Sequence, residues 1–376
     1  MLIGIDASRA NKAQKTGVEW YAFHLIQELK KLTAGDKHHW VLYTREPLTG
    51  PLADLPENWY EMRAAWPPGY LWTQVRMAWE MWRRPVDVLF VPAHVLPIIR
   101  PEKSVVTIHD IGFHRYPKLY KTAQIAYHER TTKHISRTEA RIITVSEFSG
   151  RELIDCYGVN PRRIAITPNG IDHELYKPQT ASAMELALAR LHVPRPYFLS
   201  VGRLEAKKNI VTLIKAFNAY KAHRGIGDPT RLVLAGPRGF QYDQIKQEIH
   251  RSPHRDQIME LGYVQEEDKP FLYAGAKALL HVSWYEGFGI PPVEAMACGC
   301  PVIAADNSSL PDVLGKDNAI LVPPNQPDAI ARAMDRLDNE KDLPATLRQR
   351  GIDRAAQYTW RATAEATLPV LTQWLG

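Results

Sequence analysis

The chain has few cysteines, no long apolar run and no strong excess of either charge, and each lack removes a class of protein. Cys156, Cys298 and Cys300 are too few for a paired disulfide framework, and Cys298 with Cys300 cannot build a zinc site unaided. This usage fits a reducing compartment, hence a cytoplasmic protein. No run of about 18 apolar residues occurs, so no helix spanning a bilayer is expected. The start, MLIGIDASRA, lacks a basic region followed by an apolar stretch and reads as a first strand instead of a signal peptide. A net charge of +6 suits an anionic partner but is too mild to demand nucleic acid, and no nucleic-acid motif accompanies it. No Asp-x-Asp pair is present, so neither a bridging metal nor any other cofactor is indicated.

What is present is the composition of an ordinary globular protein, 45% hydrophobic and 23% charged, long enough at 376 residues for two domains with separate cores. Strand patterns at 2–6, 40–44, 86–90, 105–108, 142–145 and 164–167 alternate with helical patterns in the first half. In the second half they recur at 197–201, 232–235, 258–261, 278–282, 302–304 and 320–322. Such alternation predicts an α/β protein with two doubly wound, Rossmann-like parallel sheets. Pro178, Pro194 and Pro196 punctuate a polar stretch between the halves, which puts the boundary near 190: residues 1–190, then 191–357, then a last helix within 358–376.

Two constellations carry chemistry. In WYEGFGIPPVEAMACGCP, Glu286 and Glu294 flank a Gly/Pro-rich loop that opens a helix. Free N–H groups at a helix start attract phosphate, and carboxylates accept paired hydrogen bonds from sugar diols. The bland reading is that Glu294 complements the helix dipole and Glu286 is solvated. In PYFLSVGRLEAKKNIVTLIKAF, Arg203 and Lys208 stand where a strand ends at Gly202 and a helix with Leu213, Ile214 and Phe217 on one face begins. Ligands of open α/β sheets bind at such junctions, and a guanidinium beside an ammonium matches a diphosphate. The bland reading here is a solvated βα loop. Together the cations and carboxylates point to a nucleoside diphosphate sugar.

VGRLEAKKN followed by EGFGIPPVEAMACGCPV resembles the retaining glycosyltransferases of family 4, which have the GT-B fold. TGVEWYAFHL, TIHDIGFHRYP, VSEFSGRELIDCYGVNPRRIAITPNGID, LVLAGPRG and SSLPDVLG resemble their counterparts in bacterial polysaccharide mannosyltransferases. The resemblance implies two domains facing a central cleft, the first holding a saccharide or lipid-linked saccharide acceptor and the second the donor. It implies that the helix from 358 crosses back to the first domain. It also implies transfer of a hexose with retention, with mannose from GDP-mannose favoured and a UDP-sugar left open.

By the same resemblance Arg203 and Lys208 stabilise the leaving diphosphate, Glu286 holds the donor sugar and Glu294 the ribose. Gly202, Gly236, Gly287, Phe288, Gly289, Ile290, Ser309 and Leu310 line the donor site. In the first domain His109 lies beside the reacting sugar and Asp110 beside the acceptor or the donor hydroxyls. Gly17 approaches the diphosphate, although a helix cap explains it equally. His114 reads as a loop residue, while Ser146 reads as a helix cap and Pro168, Asn169 and Gly170 as a turn.

One stretch falls outside this pattern. Trp59, Trp66, Trp72, Trp79 and Trp82 are interleaved with Arg76, Arg83 and Arg84. Leu71, Val75, Ala78 and Trp82 have helical spacing with Trp72 and Trp79, which predicts a helix turned to the core. The other reading is a peripheral, membrane-surface contact. The rival functions are a nucleotide-sugar epimerase or hydrolase, or a protein that binds the nucleotide sugar without turnover.

Overall fold

The computed structural model describes residues 1–66, 71–225 and 227–374. They form two compact units: residues 1–117 and 122–170 with the segment from Tyr358 onward, and residues 118–121 with 171–357. The chain passes to the second unit at Ile171, earlier than the boundary expected near 190. The reason is the helix Ala181–Arg190, which packs on the helix Lys269–Gly275 of the second unit. Arg190 pairs with Asp268, and a side chain on Gly275 would lie 2.6 Å from Leu188. The prolines that read as a linker therefore belong to the second unit.

The first sheet contains β1 (Leu2–Asp6), β2 (His39–Thr44), β3 (Trp59–Arg63), β4 (Val88–Val91), β5 (Ser104–Ile108), β6 (Arg141–Thr144) and β7 (Ile164–Ile166). All pair in parallel, in the order β3-β2-β1-β4-β5-β6-β7. Runs such as VLFV and SVVTI are buried throughout, as strands covered by helices on both faces must be. The periodicity missed β3, because its WYEMR pattern leads straight into the aromatic-rich segment. Trp59 anchors it: the indole stacks on Trp40 at 5.0 Å and donates to Thr33 Oγ1 at 3.1 Å.

The helix Gly17–Thr33 follows β1, with Tyr21, Leu25 and Leu29 fully buried at four-residue spacing. The final helix, Trp360–Thr372, lies against it, His24 stacking on Trp360 at 5.0 Å. Thr363 donates to the Pro168 carbonyl at 2.7 Å, which ties this helix to the 168–170 turn. Ser146 accepts from Ser149 N at 3.1 Å and caps the helix Glu147–Tyr157, as its position predicts.

The second sheet contains β8 (Tyr197–Val201), β9 (Arg231–Ala235), β10 (Ile258–Gly262), β11 (Leu279–His281), β12 (Val302–Ala305) and β13 (Ile320–Val322). Its order, β10-β9-β8-β11-β12-β13, is again parallel. The helix Ile210–Arg224 buries Leu213, Ile214 and Phe217 completely, the face its spacing predicts, and packs on Pro327–Asn339. Each such side chain contributes about 1.5–3 kcal/mol on leaving water. Strand order reverses beside β1 in the first sheet and beside β8 in the second. Such switch points, here next to β4 and β11, are where open α/β sheets bind ligands beyond the carboxyl ends of their strands.

Candidate active site

The carboxyl ends of β8 and β11 bring the second unit's acids and bases together. The loop from Gly202 is pinned by Asn209, whose left-handed backbone (φ 57°) turns it into the next helix. The Asn209 amide donates to the carbonyls of Val282 (3.0 Å) and Pro324 (2.7 Å), which holds the loop against β11. Lys208 then reaches Glu286, Nζ to Oε1 at 2.6 Å. His281 Nε2 meets the same oxygen at 3.0 Å from the end of β11. Burial favours the neutral imidazole, so the ring nitrogen facing Glu286 carries the proton and donates it. Burial would by itself raise the Glu286 pKa, but Lys208 and His281 hold it well below the usual carboxylate range. Glu286 is thus a fixed anion with Oε1 doubly held, while Oε2 accepts from no described residue.

Its backbone is clamped as tightly as its side chain. Glu286 N donates to Ser308 Oγ at 3.1 Å, and Ser309 Oγ donates to the Glu286 carbonyl at 2.9 Å. The Ser309 hydroxyl is therefore engaged within the protein, and both Ser309 and Leu310 are fully buried. Gly289 (φ 92°) caps the helix Ile290–Ala297, and a Cβ there would lie 2.6 Å from Leu310. Ile290 takes the first helical position, with Pro291 and Pro292 after it. Two of the four N–H groups that a helix start leaves free are missing for this reason, so Gly289 and Ile290 supply the remaining donors. Gly287 and Phe288 are buried in the same loop.

Glu294 has a different setting eight residues on. It is 6% exposed and accepts from Tyr273 OH at 2.8 Å. Burial raises its pKa; Lys269 opposes this and Glu266 adds to it. Lys269 is engaged with Glu266 at 2.5 Å, and Tyr176 OH donates to Glu266 at 2.7 Å. Arg203 is exposed on the loop after β8, its stem over Gly239, and makes no ion pair among the described residues. Gly202 (φ 136°) and Gly236 (φ 149°) end the adjacent strands β8 and β9 in backbone contact, since a Cβ on Gly236 would lie 2.0 Å from the Gly202 carbonyl oxygen. Of the expected donor residues, the structure brings Lys208 and Glu286 into direct contact, while Arg203 pairs with neither glutamate.

The first unit gathers a second group at the carboxyl ends of β1, β4 and β5. His109 and Asp110 follow β5, and both of their N–H groups point at His94 Nε2, at 2.8 and 3.3 Å. Accepting two donors fixes His94 as the tautomer protonated at Nδ1, and burial pushes it down to about 3. His109 packs edge-on against Tyr21 at 4.7 Å, and burial lowers it to about 4, so it is neutral near pH 7. Asp110 Oδ1 accepts from Gly112 N at 2.9 Å. Gly17 is exposed in the first helical position after Thr16, whose N–H bonds to Glu19 at 3.2 Å. Burial opposes ionisation of Glu19, yet Thr16, Lys12 at 3.0 Å and Arg9 at 3.1 Å hold it down near 2. His114 turns away to Glu129 at 2.6 Å.

His281, Asn209, Ser308, His94 and the Arg9–Lys12–Glu19 cluster escaped the sequence reading. His281 carried a usable signal, a histidine closing a strand five residues before Glu286. Ser308 carried none, because a serine at φ 51° is set by packing alone.

Residues 189–354 match the glycosyl transferases group 1 family, and residues 15–175 match glycosyltransferase family 4. The chain is 31% identical over 294 residues to O-antigen chain mannosyltransferase B of Escherichia coli, covering 78% of this chain and 76% of that protein. It is 25% identical over 286 residues to the serotype-specific mannosyltransferase WbdA of the same organism, and spans about a third of WbdA's length (34%). Among solved structures, sucrose-phosphate synthase from Thermosynechococcus elongatus superposes with a TM-score of 0.78 at 21% identity, over 99% of this chain and 98% of that one. The two parallel-sheet units are those of the GT-B fold, and the chain belongs to the glycosyltransferases of group 1 and family 4.

Proposed function

We propose that the chain transfers mannose from GDP-mannose to a hydroxyl of a saccharide or lipid-linked saccharide, with retention at the anomeric carbon. The observation that carries this reading is the Lys208–Glu286–His281 cluster at the second sheet's switch point, one ammonium and one fixed carboxylate oxygen beside an open one. Glu286 Oε2 is available to the donor sugar's hydroxyls, and Glu294 to the ribose diol. As the glycosidic bond loosens, charge grows on the diphosphate. Lys208 and the unpaired Arg203 then stabilise it without the reorganisation that water would need, and N–H groups of Gly289 and Ile290 add two donors. These cations provide the charge that a divalent ion supplies elsewhere.

Retention without a paired-carboxylate mechanism is consistent with same-face attack, in which the leaving phosphate accepts the acceptor's proton. In the first unit, neutral His109 serves as a hydrogen-bonding neighbour of the sugar instead of an acid, with Asp110 and Gly17 as further contacts. The choice of mannose follows the names of the relatives, O-antigen chain mannosyltransferase B and WbdA. A thermal-shift screen of GDP-, UDP-, ADP- and dTDP-sugars tests the donor. GDP-mannose is expected to give the largest rise, since a ligand bound only by the native state raises the melting temperature. Proton NMR of the product then reads the anomeric configuration. A preference for a UDP-sugar overturns the donor assignment, and an inverted linkage overturns the mechanism.

A further inference from the structure

The segment Trp72–Arg83 is helical, a wide π-type turn over Trp72–Met77 running into an α-helix over Ala78–Arg83, but of its predicted face only Trp72 and Ala78 are buried. Trp72, Met77, Ala78 and Met81 turn inward, with the Trp72 indole donating to the Ala64 carbonyl at 2.8 Å. Leu71, Val75, Trp79 and Trp82 turn outward, and the two indoles are 53% and 64% exposed. Apolar residues occupy both sides of this helix, so spacing alone could not choose between them.

The outward stripe is continuous along one face, at positions i, i+4, i+8 and i+11. Trp79 and Trp82 lie 5.2 Å apart. Gln74 donates to the Leu96 carbonyl at 2.9 Å, which brings the loop carrying Ile98 (70% exposed) and Ile99 alongside. Exposed large side chains concentrated like this mark an interaction site, since scattered ones need no explanation. The charges bordering it select the partner. Arg83 and Arg84 are exposed at the end of the stripe, and Lys103 is exposed beyond Arg100. Among the acidic neighbours Glu80 is buried and paired with Arg76 at 2.7 Å, while Asp87, which accepts from Leu2 N at 2.6 Å, and Glu102 are exposed and outnumbered by exposed Arg83, Arg84 and Lys103. Tryptophan with aliphatic side chains suits the headgroup–acyl boundary, and the arginines suit anionic headgroups.

We propose that the Leu71–Arg84 helix face, extended by Ile98 and Ile99, is a docking surface for an anionic lipid bilayer. The protein lies on the membrane through this face; no described helix is long and apolar enough to cross it. The inference does not depend on which sugar is transferred, because its test reads binding and not turnover.

The test is flotation of the full chain with vesicles of phosphatidylcholine alone and with one third phosphatidylglycerol, at low and high salt. Wild type is expected to float with the anionic vesicles at least about tenfold more than with neutral ones, and less so in high salt, where bordering charges are screened. Trp79→Ala/Trp82→Ala is expected to lose about tenfold or more, and Arg83→Glu/Arg84→Glu to lose the preference for anionic lipid. Both changes lie at exposed positions, and unchanged melting curves check folding. No flotation of the wild type, or equal flotation of the tryptophan variant, overturns the proposal. So does a dimer in sedimentation velocity that the tryptophan variant abolishes, since the stripe would then be covered by a second copy.

Discussion

The two glutamates on either side of the Gly/Pro-rich loop are held in opposite ways, so one conservative substitution should act on them with opposite signs. Glu294 is buried between the hydroxyls of Tyr273 and Tyr176, and Lys269, the cation that acts on it, is shared with Glu266. Glu294→Gln keeps an acceptor for Tyr273 and removes a poorly compensated charge, which otherwise costs on the order of 1 kcal/mol or more. For a unit of this size about 1 kcal/mol moves the melting temperature by about 2–4 °C, and a rise of that size is expected. Glu286→Gln instead breaks a buried ion pair, a change that costs about 3–5 kcal/mol where neither partner reaches water. Lys208 keeps 19% of its side chain exposed, so roughly 2 kcal/mol and a fall of about 4–8 °C are expected.

The pH dependence separates the two effects. A carboxyl group raised in the fold contributes stability that is present below its unfolded value, near 4.3, and lost as pH rises through the folded one. The Glu294→Gln gain should therefore be absent in acid and full at neutral pH. Glu286 is depressed, so its contribution is present above about 4.3 and disappears as pH falls through the folded value. Donor binding completes the assay. Saturating donor, at about a hundredfold its Kd, adds about 2.7 kcal/mol to the wild type. A neutral amide at 294 makes weaker bonds to a diol, so Glu294→Gln should bind donor about tenfold more weakly while melting higher without it. Differential scanning fluorimetry with and without donor across the pH range reads all of this. A Glu294→Gln variant that melts lower at neutral pH, or that keeps the full donor-induced shift, would refute the assignment of this carboxylate to the ligand.

Three other outcomes follow from the geometry. His94→Ala removes the acceptor for two N–H groups at the His109–Asp110 turn and should lower kcat by about ten- to a hundredfold with a smaller change in donor KM; equal loss in both would make it merely structural. Gly236→Ala places a Cβ 2.0 Å from the Gly202 carbonyl oxygen at a φ of 149°, so a loss of about 3 kcal/mol or more is expected in urea unfolding. His94 and His109 are held near 3 and 4, below the ordinary histidine value, so the unfolded chain binds more protons between those values and about 6.5. The first unit should lose stability steadily as pH falls through that window, and changing both residues to Gln should flatten the melting-temperature profile there.

The parallel sheets, the Leu213–Ile214–Phe217 face and the burial of Tyr21, Leu25 and Leu29 were legible because hydrophobic period and strand length are local properties. The meeting of Lys208 and Glu286 was legible because both follow strands in recognisable strings, and a strand's carboxyl end is where a doubly wound sheet opens. What tertiary structure decided was partnership and facing. Glu286 and Glu294 are one residue type eight positions apart, yet one is depressed by a cation from another loop and the other is raised by burial; no local pattern encodes that difference. The Trp72–Arg83 helix has apolar side chains on both sides, so only packing under Ala64 and against the first sheet selected which side meets the core. His94 became the pin of the His109 turn because β4 lies beside β5, a neighbour relation that a one-dimensional string leaves open. Sequence periodicity determines the elements and the ends at which chemistry can sit. Long-range contact determines each group's charge state and exposure, because solvation and Coulomb energy depend on everything packed around a group and not on its position along the chain.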